Sequence, residues 1–161
     1  MSRIQLSRNF FLDEFTQSQT ASRIGREIEV TPDGPVHLNL KRLCHEVLQP
    51  IRDELGPVHI TSGYRPSWLN ELIGGSERSA HLKGLAADFV VAGTSPYQVS
   101  RFIVQRGLPV DQVIHEFGRW THVGIKEISR AIRYQDLTAH RVGGRTVYTP
   151  GIHKLEDLAD G

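Results

Sequence analysis

Apolar residues recur at helical spacing along residues 38–55, and this pattern predicts the longest helix of the protein. Pro50 lies inside the pattern and has no backbone N–H to donate, so it predicts a kink or a break in that helix. A loop at residues 31–35 precedes the helix, and Gly56-Pro57 follows it. The apolar positions of the pattern are Leu40, Leu43, Val47, Leu48, Ile51 and Leu55.

Two further helices and two strands are predicted in the middle of the chain. Residues 58–63 and 86–93 contain the apolar and β-branched runs that are typical of strands, and residues 66–75 predict a short helix ended by glycines. Residues 95–107 carry a complete helix frame, with serine as N-cap, proline at the first helical position and glycine just past the end.

Two hairpins complete the predicted elements. Residues 111–125 are predicted to form one around Gly118-Arg119, and the sequence RVGGRTVY (141–148) is predicted to form another in the C-terminal tail. Residues 1–37 show no clear pattern and are expected to be irregular, apart from a short helical piece that begins near Leu12. Helices combined with antiparallel hairpins indicate the α+β class, with a small antiparallel sheet flanked by helices.

The composition narrows the class of protein. The chain has 161 residues, of which 39% are hydrophobic and 23% are charged, as expected for one globular domain with a proper core. A net charge of +1 argues against nucleic acid as the partner, and no apolar run approaches the roughly 18 residues that span a bilayer. The charged N-terminal stretch lacks the apolar core of a signal peptide, so synthesis in a cytoplasm is expected. The single cysteine, Cys44, excludes an internal disulfide and is expected in the core.

Two of the eight histidines stand in a pattern that suits a metal ion. His81 precedes Asp88 by seven residues within SAHLKGLAADF (79–89), and His122 lies in the second strand of the predicted 111–125 hairpin. Zinc in hydrolases commonly takes three nitrogen or oxygen ligands and leaves one position for water, which these residues would satisfy. On spacing alone, a surface histidine beside a capping aspartate is the alternative. Five other histidines have no such pattern and are expected to be structural or solvated: His37, His45, His59, His140 and His153.

Three sequence blocks resemble the zinc D-Ala-D-Ala carboxypeptidase family, peptidase family M15. They are ITSGYR (60–65), SAHLKGLAADF (79–89) and EFGRWTHVGI (116–125), which follow the pattern S-G-Y-R, then S-x-H-x-x-G-x-A-x-D, then an acidic residue ahead of W-x-H. The middle block agrees at every fixed position, and the similarity covers roughly residues 6–125. The chain most resembles the small single-domain branch that is common in bacteriophages and prophages. The resemblance implies a hedgehog/DD-peptidase-like fold.

The resemblance also implies a role for each residue that matches the motifs. His81, Asp88 and His122 would bind one zinc ion. Arg65 would bind a substrate carboxylate or carbonyl, which a planar guanidinium can contact through two hydrogen bonds, and Ser79 would hold the substrate end. Without the family, these last two would be interpreted as a solvated arginine and a turn-forming serine. Two aromatic residues are expected to pack beside the site: Tyr64 and Trp120.

Glu116 is the candidate general base, which must reach the water that attacks the substrate. Several family members instead carry the acid three positions before the last histidine, where this chain has Arg119. A two-residue turn at Gly118-Arg119 would pair His115, rather than Glu116, with His122. A register shifted by one residue, through a three-residue loop or a bulge, would pair Glu116 with His122. We therefore predict that the hairpin is not a simple two-residue turn.

The leading hypothesis is a zinc peptidase that hydrolyses the stem peptide of bacterial peptidoglycan at the cell wall, as a monomer. Whether it is a D,D-carboxypeptidase, a D,D-endopeptidase or an L-Ala-D-Glu endopeptidase stays open. The alternative is a non-enzymatic zinc-containing binding or structural component of a phage particle, which would not need an acid at Glu116. Residues 1–125 are expected to form the peptidase domain, and residues 126–161 an extension packed on it.

Overall fold

The computed structural model describes residues 3–158, which contain eight strands. Their bounds are β1 (Gln5–Ser7), β2 (Phe10–Phe11), β3 (Val58–Ser62), β4 (Ala86–Val91), β5 (Gln112–Glu116), β6 (Trp120–Gly124), β7 (Gln135–Val142) and β8 (Arg145–Pro150). The first two form a small hairpin, and the other six form one sheet in the order β3-β4-β6-β5-β7-β8. All neighbours in this sheet pair antiparallel except β5 and β7, which pair parallel. A mostly antiparallel sheet with helices confirms the predicted mixture of helix and strand.

Five α-helices and three 3₁₀ helices lie in the same part of the chain. The α-helices are α1 (Gln19–Arg23), α2 (Pro35–Leu43), α3 (Gln49–Leu55), α4 (Ser67–Leu72) and α5 (Pro96–Arg106), and the 3₁₀ helices span Leu12–Phe15, Ala80–Lys83 and Leu155–Asp157. The frame predicted for residues 95–107 is confirmed, because Ser95 Oγ accepts from the Gln98 amide and Gly107 has a φ of 66°. Among residues 3–158, none of the helices has the length and apolar character needed to cross a bilayer.

The main helix is interrupted where the sequence predicts. A π-helical turn at Cys44–Leu48 separates α2 from α3, and the Gln49 amide donates to the carbonyl of Cys44, five residues back. Pro50 follows directly, so the register changes where no N–H is available for a helical hydrogen bond. The helix begins earlier than predicted, at Pro35, because proline suits the first helical position. Cys44 is fully buried, as predicted.

The N-terminal segment is more ordered than the sequence predicts. The region expected to be irregular contains the hairpin of β1 and β2, in which Leu6 and Phe10 are buried in the core. These strands are only three and two residues long, too short for an alternating pattern to be recognised. The helical piece predicted near Leu12 is confirmed as the first 3₁₀ helix.

The two faces of the main sheet have different surroundings. One face packs against α2, α3 and α5 in the hydrophobic core, to which the sheet contributes Phe89, Val113 and Val123. Thr121 on this face lies 3.2 Å from Ser100 of α5, measured from Oγ1 to Oγ. Because successive residues of a strand point to opposite faces, His122 leaves the sheet on the other side. This second side of the sheet, toward which His122 points, is the site face.

The C-terminal segment extends the main sheet. β7 pairs with β5, and the predicted tail hairpin is confirmed in β7 and β8, with positive φ at Gly143 and Gly144. Asp111, just before β5, accepts hydrogen bonds from Arg133 Nη2 at 2.8 Å and from the Gln135 amide, through its backbone carbonyl, at 2.9 Å. These contacts hold the start of β7 beside the start of β5. Residues 159–161, the end of the predicted extension, lie outside the described residues.

Replacement of Gly84 tests the close packing of the end of the Ala80–Lys83 helix against Val36 of α2. Gly84 has a φ of +71°, and a Cβ atom there would lie 2.9 Å from the carbonyl oxygen of Val36. Gly74 has the same φ, but a Cβ atom there would meet nothing within 4 Å. We expect Gly84→Ala to lower the free energy of unfolding by about 1–3 kcal/mol more than Gly74→Ala does, measured by denaturant titration. Equal losses in the two variants would show that only the backbone conformation matters.

Candidate metal centre

His81, Asp88 and His122 come together on the site face. Asp88 in β4 and His122 in β6 are direct partners in the antiparallel register, so their side chains share a face. His81 lies in the 3₁₀ helix that precedes β4, rather than in the loop expected from the sequence. The three side chains are 6%, 18% and 13% exposed in chain order, so the cluster is largely closed to solvent.

The possible ligand atoms of the three side chains converge. His122 Nδ1 lies 2.8 Å from Asp88 Oδ1, and His81 Nε2 lies 3.6 Å from the same oxygen. The two imidazole rings are 5.3 Å apart, centroid to centroid. One ligand atom from each residue lies within 4.8 Å of the others. Two imidazoles and one carboxylate form a donor set that zinc favours.

A backbone contact fixes the orientation of His81. Its Nδ1 lies 2.8 Å from the carbonyl oxygen of Gly63, so Nδ1 carries the proton and Nε2 keeps its lone pair for the cluster. Gly63 reaches this place by a close approach to the first 3₁₀ helix, since a Cβ atom there would lie 2.6 Å from the backbone oxygen of Phe15. Any side chain at this position of the ITSGYR block would clash with the backbone of Phe15, so only glycine fits there.

The geometry of the cluster can be compared with that of tetrahedral zinc. Bonds of about 2.0–2.1 Å to nitrogen and oxygen would set neighbouring ligand atoms roughly 3.4 Å apart. The 3.6 Å between His81 Nε2 and Asp88 Oδ1 is close to this value, whereas the 2.8 Å between His122 Nδ1 and Asp88 Oδ1 is that of a hydrogen bond. The three residues could therefore hold zinc after a small opening of the second pair.

Asp88 is held as a carboxylate. Burial alone would raise its pKa, but the hydrogen bond from His122 and the nearby imidazole of His81 outweigh burial and hold the pKa of Asp88 well below its usual range. Asp88 therefore keeps its negative charge near neutral pH, which a carboxylate ligand requires.

The hairpin of β5 and β6 has a three-residue loop, which confirms the prediction that it is not a simple two-residue turn. Phe117 and Gly118 have φ angles of 57° and 69°, and the Arg119 amide donates to the carbonyl of Glu116 at 2.9 Å. Positive φ at both central positions is characteristic of a type I′ turn, and it is unusual for phenylalanine. Strain of this kind concentrates beside functional sites.

The register of this hairpin decides which side chain faces the cluster. Ile114 lies opposite His122, and Glu116 lies opposite Trp120. The predicted direct pairing of Glu116 with His122 is therefore wrong. The three-residue loop consists of residues 117–119, so Glu116 pairs with Trp120 instead. Glu116 nevertheless shares the face of His122, since it is two residues from Ile114 along β5.

His115 lies on the opposite face of β5. It is 2% exposed, it pairs with Thr121, and its Nδ1 donates to the carbonyl oxygen of His153 at 2.9 Å. Burial lowers the pKa of His115, and the hydrogen bond to His153 offsets this only in part, so the ring is neutral near pH 7. Glu116, and not His115, is thus on the site face.

Glu116 combines burial with a neighbouring negative charge. Burial and the charge of Asp88 raise the pKa of Glu116 to about 7, and the charge of His122 and the indole N–H of Trp120 oppose this only in part. The indole N–H completes no hydrogen bond to Glu116, since Trp120 Nε1 is buried without a partner among the described residues. A carboxyl group with a pKa near 7 can accept and return a proton at neutral pH.

Arg65 and Ser79 lie together at one end of the cluster. Arg65 Nη2 donates to Ser79 Oγ at 3.1 Å, and the Arg65 amide donates to the carbonyl of His81 at 3.0 Å. Ser79 Oγ also accepts from the His81 amide at 3.3 Å, as the N-cap of the 3₁₀ helix. Arg65 Nε is buried and has no hydrogen-bond partner in residues 3–158. Tyr64 packs partly buried against the core, as predicted.

A cleft of about 980 Å³ lies over the cluster. Its walls include every residue to which the sequence assigns a role in binding or catalysis: Arg65, Ser79, His81, Asp88, Glu116 and His122. The cleft also includes Tyr148 of β8, to which the sequence assigns no role. No local signal could have identified Tyr148, because its position depends on the pairing of β7 with β5.

Comparison with known proteins agrees with the motifs in the sequence. A protein-family model described as Peptidase M15 matches residues 8–124, which is more than half of the chain. The match begins and ends within two residues of the range expected from the motifs, 6–125. A search of curated proteins gives no match.

The raised pKa of Glu116 predicts that this residue makes the folded protein less stable as the pH rises. Its pKa rises from 4.5 to about 7 on folding, so the stability that protonated Glu116 contributes is present below 4.5 and is lost as the pH rises through 7. We expect Glu116→Gln to raise the Tm of the chelator-treated protein by several degrees at about pH 8 and by much less at about pH 5.

Glu127→Gln is the matched control for this measurement. The Glu127 carboxylate lies 2.7 Å from Lys83 Nζ, and this contact lowers the pKa of Glu127. The control variant should therefore gain no stability at either pH. A gain for Glu116→Gln that is no larger at about pH 8 than at about pH 5 would contradict the raised pKa.

Proposed function

The chain belongs to the peptidase M15 family, and we propose that it is a zinc-dependent peptidase that hydrolyses peptide bonds in the stem peptide of bacterial peptidoglycan. The observation that carries the proposal is the convergence of His81, Asp88 and His122 within 4.8 Å, with Glu116 in the same cleft. Three protein ligands beside a carboxyl group are typical of hydrolytic zinc sites, whereas structural zinc sites are closed by four ligands.

In this proposal His81, Asp88 and His122 hold one zinc ion. M15 peptidases are zinc-dependent, which agrees with this donor set. Bound zinc supplies a Lewis acid that polarises a carbonyl group and lowers the pKa of a water molecule. The contact with Gly63 orients His81, and the lowered pKa keeps Asp88 charged, so both side chains are prepared before a metal binds.

Glu116 acts first as the general base and then as the general acid. A carboxylate oxygen of Glu116 takes a proton from the attacking water as the water oxygen bonds to the carbonyl carbon of the substrate. When the carbon–nitrogen bond breaks, Glu116 returns this proton to the amine nitrogen, and the carboxylate is regenerated. A pKa near neutral suits both transfers, because the group must hold the proton and also release it.

Arg65 and Ser79 orient the substrate. The Arg65 guanidinium is planar and lines the cleft, so it can bind a substrate carboxylate through more than one hydrogen bond. The Ser79 hydroxyl already accepts two hydrogen bonds, and its own O–H can still donate to the substrate. A carboxylate anchor at Arg65 favours cleavage near the C-terminal end of the stem peptide.

The proposal extends to the fold, the place of action and the assembly. The fold would be hedgehog/DD-peptidase-like, with residues 1–125 as the peptidase domain and residues 126–161 as a packed extension. The pairing of β7 with β5 supports the packing of the extension on the domain. The protein would act as a monomer at the bacterial cell wall and would belong to the phage-type branch of the family.

Zinc content and cleavage of a defined muropeptide test the proposal together. We expect one zinc per chain in the wild-type protein, and cleavage products whose masses identify the bond. Glu116→Gln should keep the zinc and lose activity by at least about a hundredfold, because it removes the base and leaves the ligands in place. Glu54→Gln is the control, since Glu54 pairs with Arg106 at 2.7 Å away from the cleft, and it should cleave like the wild type.

Two outcomes would change the interpretation. Bound zinc without cleavage of any stem peptide would favour a non-enzymatic binding module. A protein that takes up no zinc, even when zinc is added, would exclude both a zinc peptidase and a zinc-containing module.

Arg65→Lys tests whether a planar guanidinium binds the substrate. Lysine keeps the positive charge but cannot form two parallel hydrogen bonds, so we expect kcat/KM to fall about tenfold or more with zinc content unchanged. Arg119→Lys, in the exposed hairpin loop, is the matched control and should have wild-type kinetics. Steady-state kinetics in which both variants match the wild type would remove Arg65 from the proposed substrate contacts.

A further inference from the structure

Tyr148 stands in the same cross-strand row as Glu116. Glu116 in β5 pairs with Ala139 in β7, and Ala139 pairs with Tyr148 in β8. Directly paired residues share a face of a sheet, so all three side chains leave on the site face. Tyr148 and Glu116 line the same cleft.

The small residue between them allows the tyrosine ring to approach Glu116. With strands about 4.8 Å apart, the Cα atoms of Glu116 and Tyr148 are roughly 10 Å apart. Ala139 places only a methyl group in this gap, and it is fully buried, as expected when longer side chains close over it. Tyr148 itself is 54% exposed, so its ring is accessible to a ligand in the cleft.

The phenol of Tyr148 is a hydrogen-bond donor at neutral pH. Burial and, to a smaller extent, the charge of Glu116 raise the pKa of Tyr148 above its ordinary value. The effect of Glu116 agrees with the proximity that the strand pairing indicates.

Tyr148 and Arg65 stand on opposite sides of the metal cluster. In the sheet order β3-β4-β6-β5-β7-β8, Arg65 follows one edge strand, β3, and Tyr148 lies in the other edge strand, β8. Both line the one cleft. A peptide that is held by Arg65 and has its scissile bond at the cluster can therefore extend its other half across β5 and β7, toward Tyr148.

We propose that Tyr148 binds the half of the peptide substrate that lies opposite the half held by Arg65, through a hydrogen bond from its phenol hydroxyl to a substrate peptide group. This inference rests on the proposed peptidase function. It assigns a substrate contact to a strand outside residues 8–124, the range that the family model matches. The C-terminal extension is then part of the substrate-binding site.

Calorimetric binding of a stem pentapeptide to the zinc-loaded Glu116→Gln protein, which does not cleave, tests this inference. Adding Tyr148→Phe to that protein should weaken Kd about threefold to tenfold, the range for one hydrogen bond. Tyr148→Phe in the otherwise wild-type protein should lower kcat/KM by a similar factor, with zinc content and Tm unchanged. Tyr134→Phe is the matched control, since Tyr134 is an exposed tyrosine of the same tail, and it should leave both quantities unchanged.

The outcomes separate this inference from the proposed function. Cleavage by the wild type, with a Tyr148→Phe affinity within about twofold of its parent, would overturn the inference and leave the peptidase proposal standing. Equal losses in Tyr148→Phe and Tyr134→Phe would also overturn it, because the effect would then belong to the tail in general. If the wild type cleaves no stem peptide and the Glu116→Gln protein binds none, the proposed function fails and the inference fails with it.

Discussion

The antiparallel pairing of Asp88 with His122 is the contact on which the rest of the site depends. It joins β4 to β6 in a register that sets a carboxylate 2.8 Å from an imidazole. A slip of one residue would turn one of these side chains into the core, where Phe89 and Val123 now pack. The same alternation of apolar and polar residues therefore fixes both the packing of the core and the geometry of the cluster.

The carboxyl group of Glu116, beside this cluster, lowers the stability of the folded protein when it is charged. Glu116 is partly buried near the charge of Asp88, an environment that disfavours its charged form. The next residue, Phe117, adopts a positive φ that phenylalanine seldom takes. Both unfavourable features lie at the tip of one hairpin, and the other face of that hairpin is anchored in the core through Val113 and Val123. Packing on one face thus supports an unfavourable arrangement on the other.

Most elements could be predicted from the sequence because their signals are local, whereas the grouping of His81, Asp88 and His122 was expected only from the resemblance of three sequence blocks to the M15 family. The capping residues of α5 and the proline at the π-helical turn act within a few positions of themselves. For the hairpin of β5 and β6, the sequence predicted only that the loop is not a simple two-residue turn. The actual register was not predictable, because the positive φ of Phe117 has no signal in the sequence. The hairpin of β1 and β2 and the place of Tyr148 were not predictable, since both depend on contacts between distant segments.

The parallel pairing of β5 with β7 has a consequence for the strand that carries Glu116. The family match ends at residue 124, yet β5 is an interior strand only because β7 and β8 follow it. Without them, the backbone amides and carbonyls along one side of β5, beside the apolar Val113 and Ile114, would form an open sheet edge next to the cleft. Edges of this kind pair with strands of other molecules and lead to aggregation. In the folded protein β7 covers this side of β5, so the strand that carries Glu116 is not open to strands of other molecules.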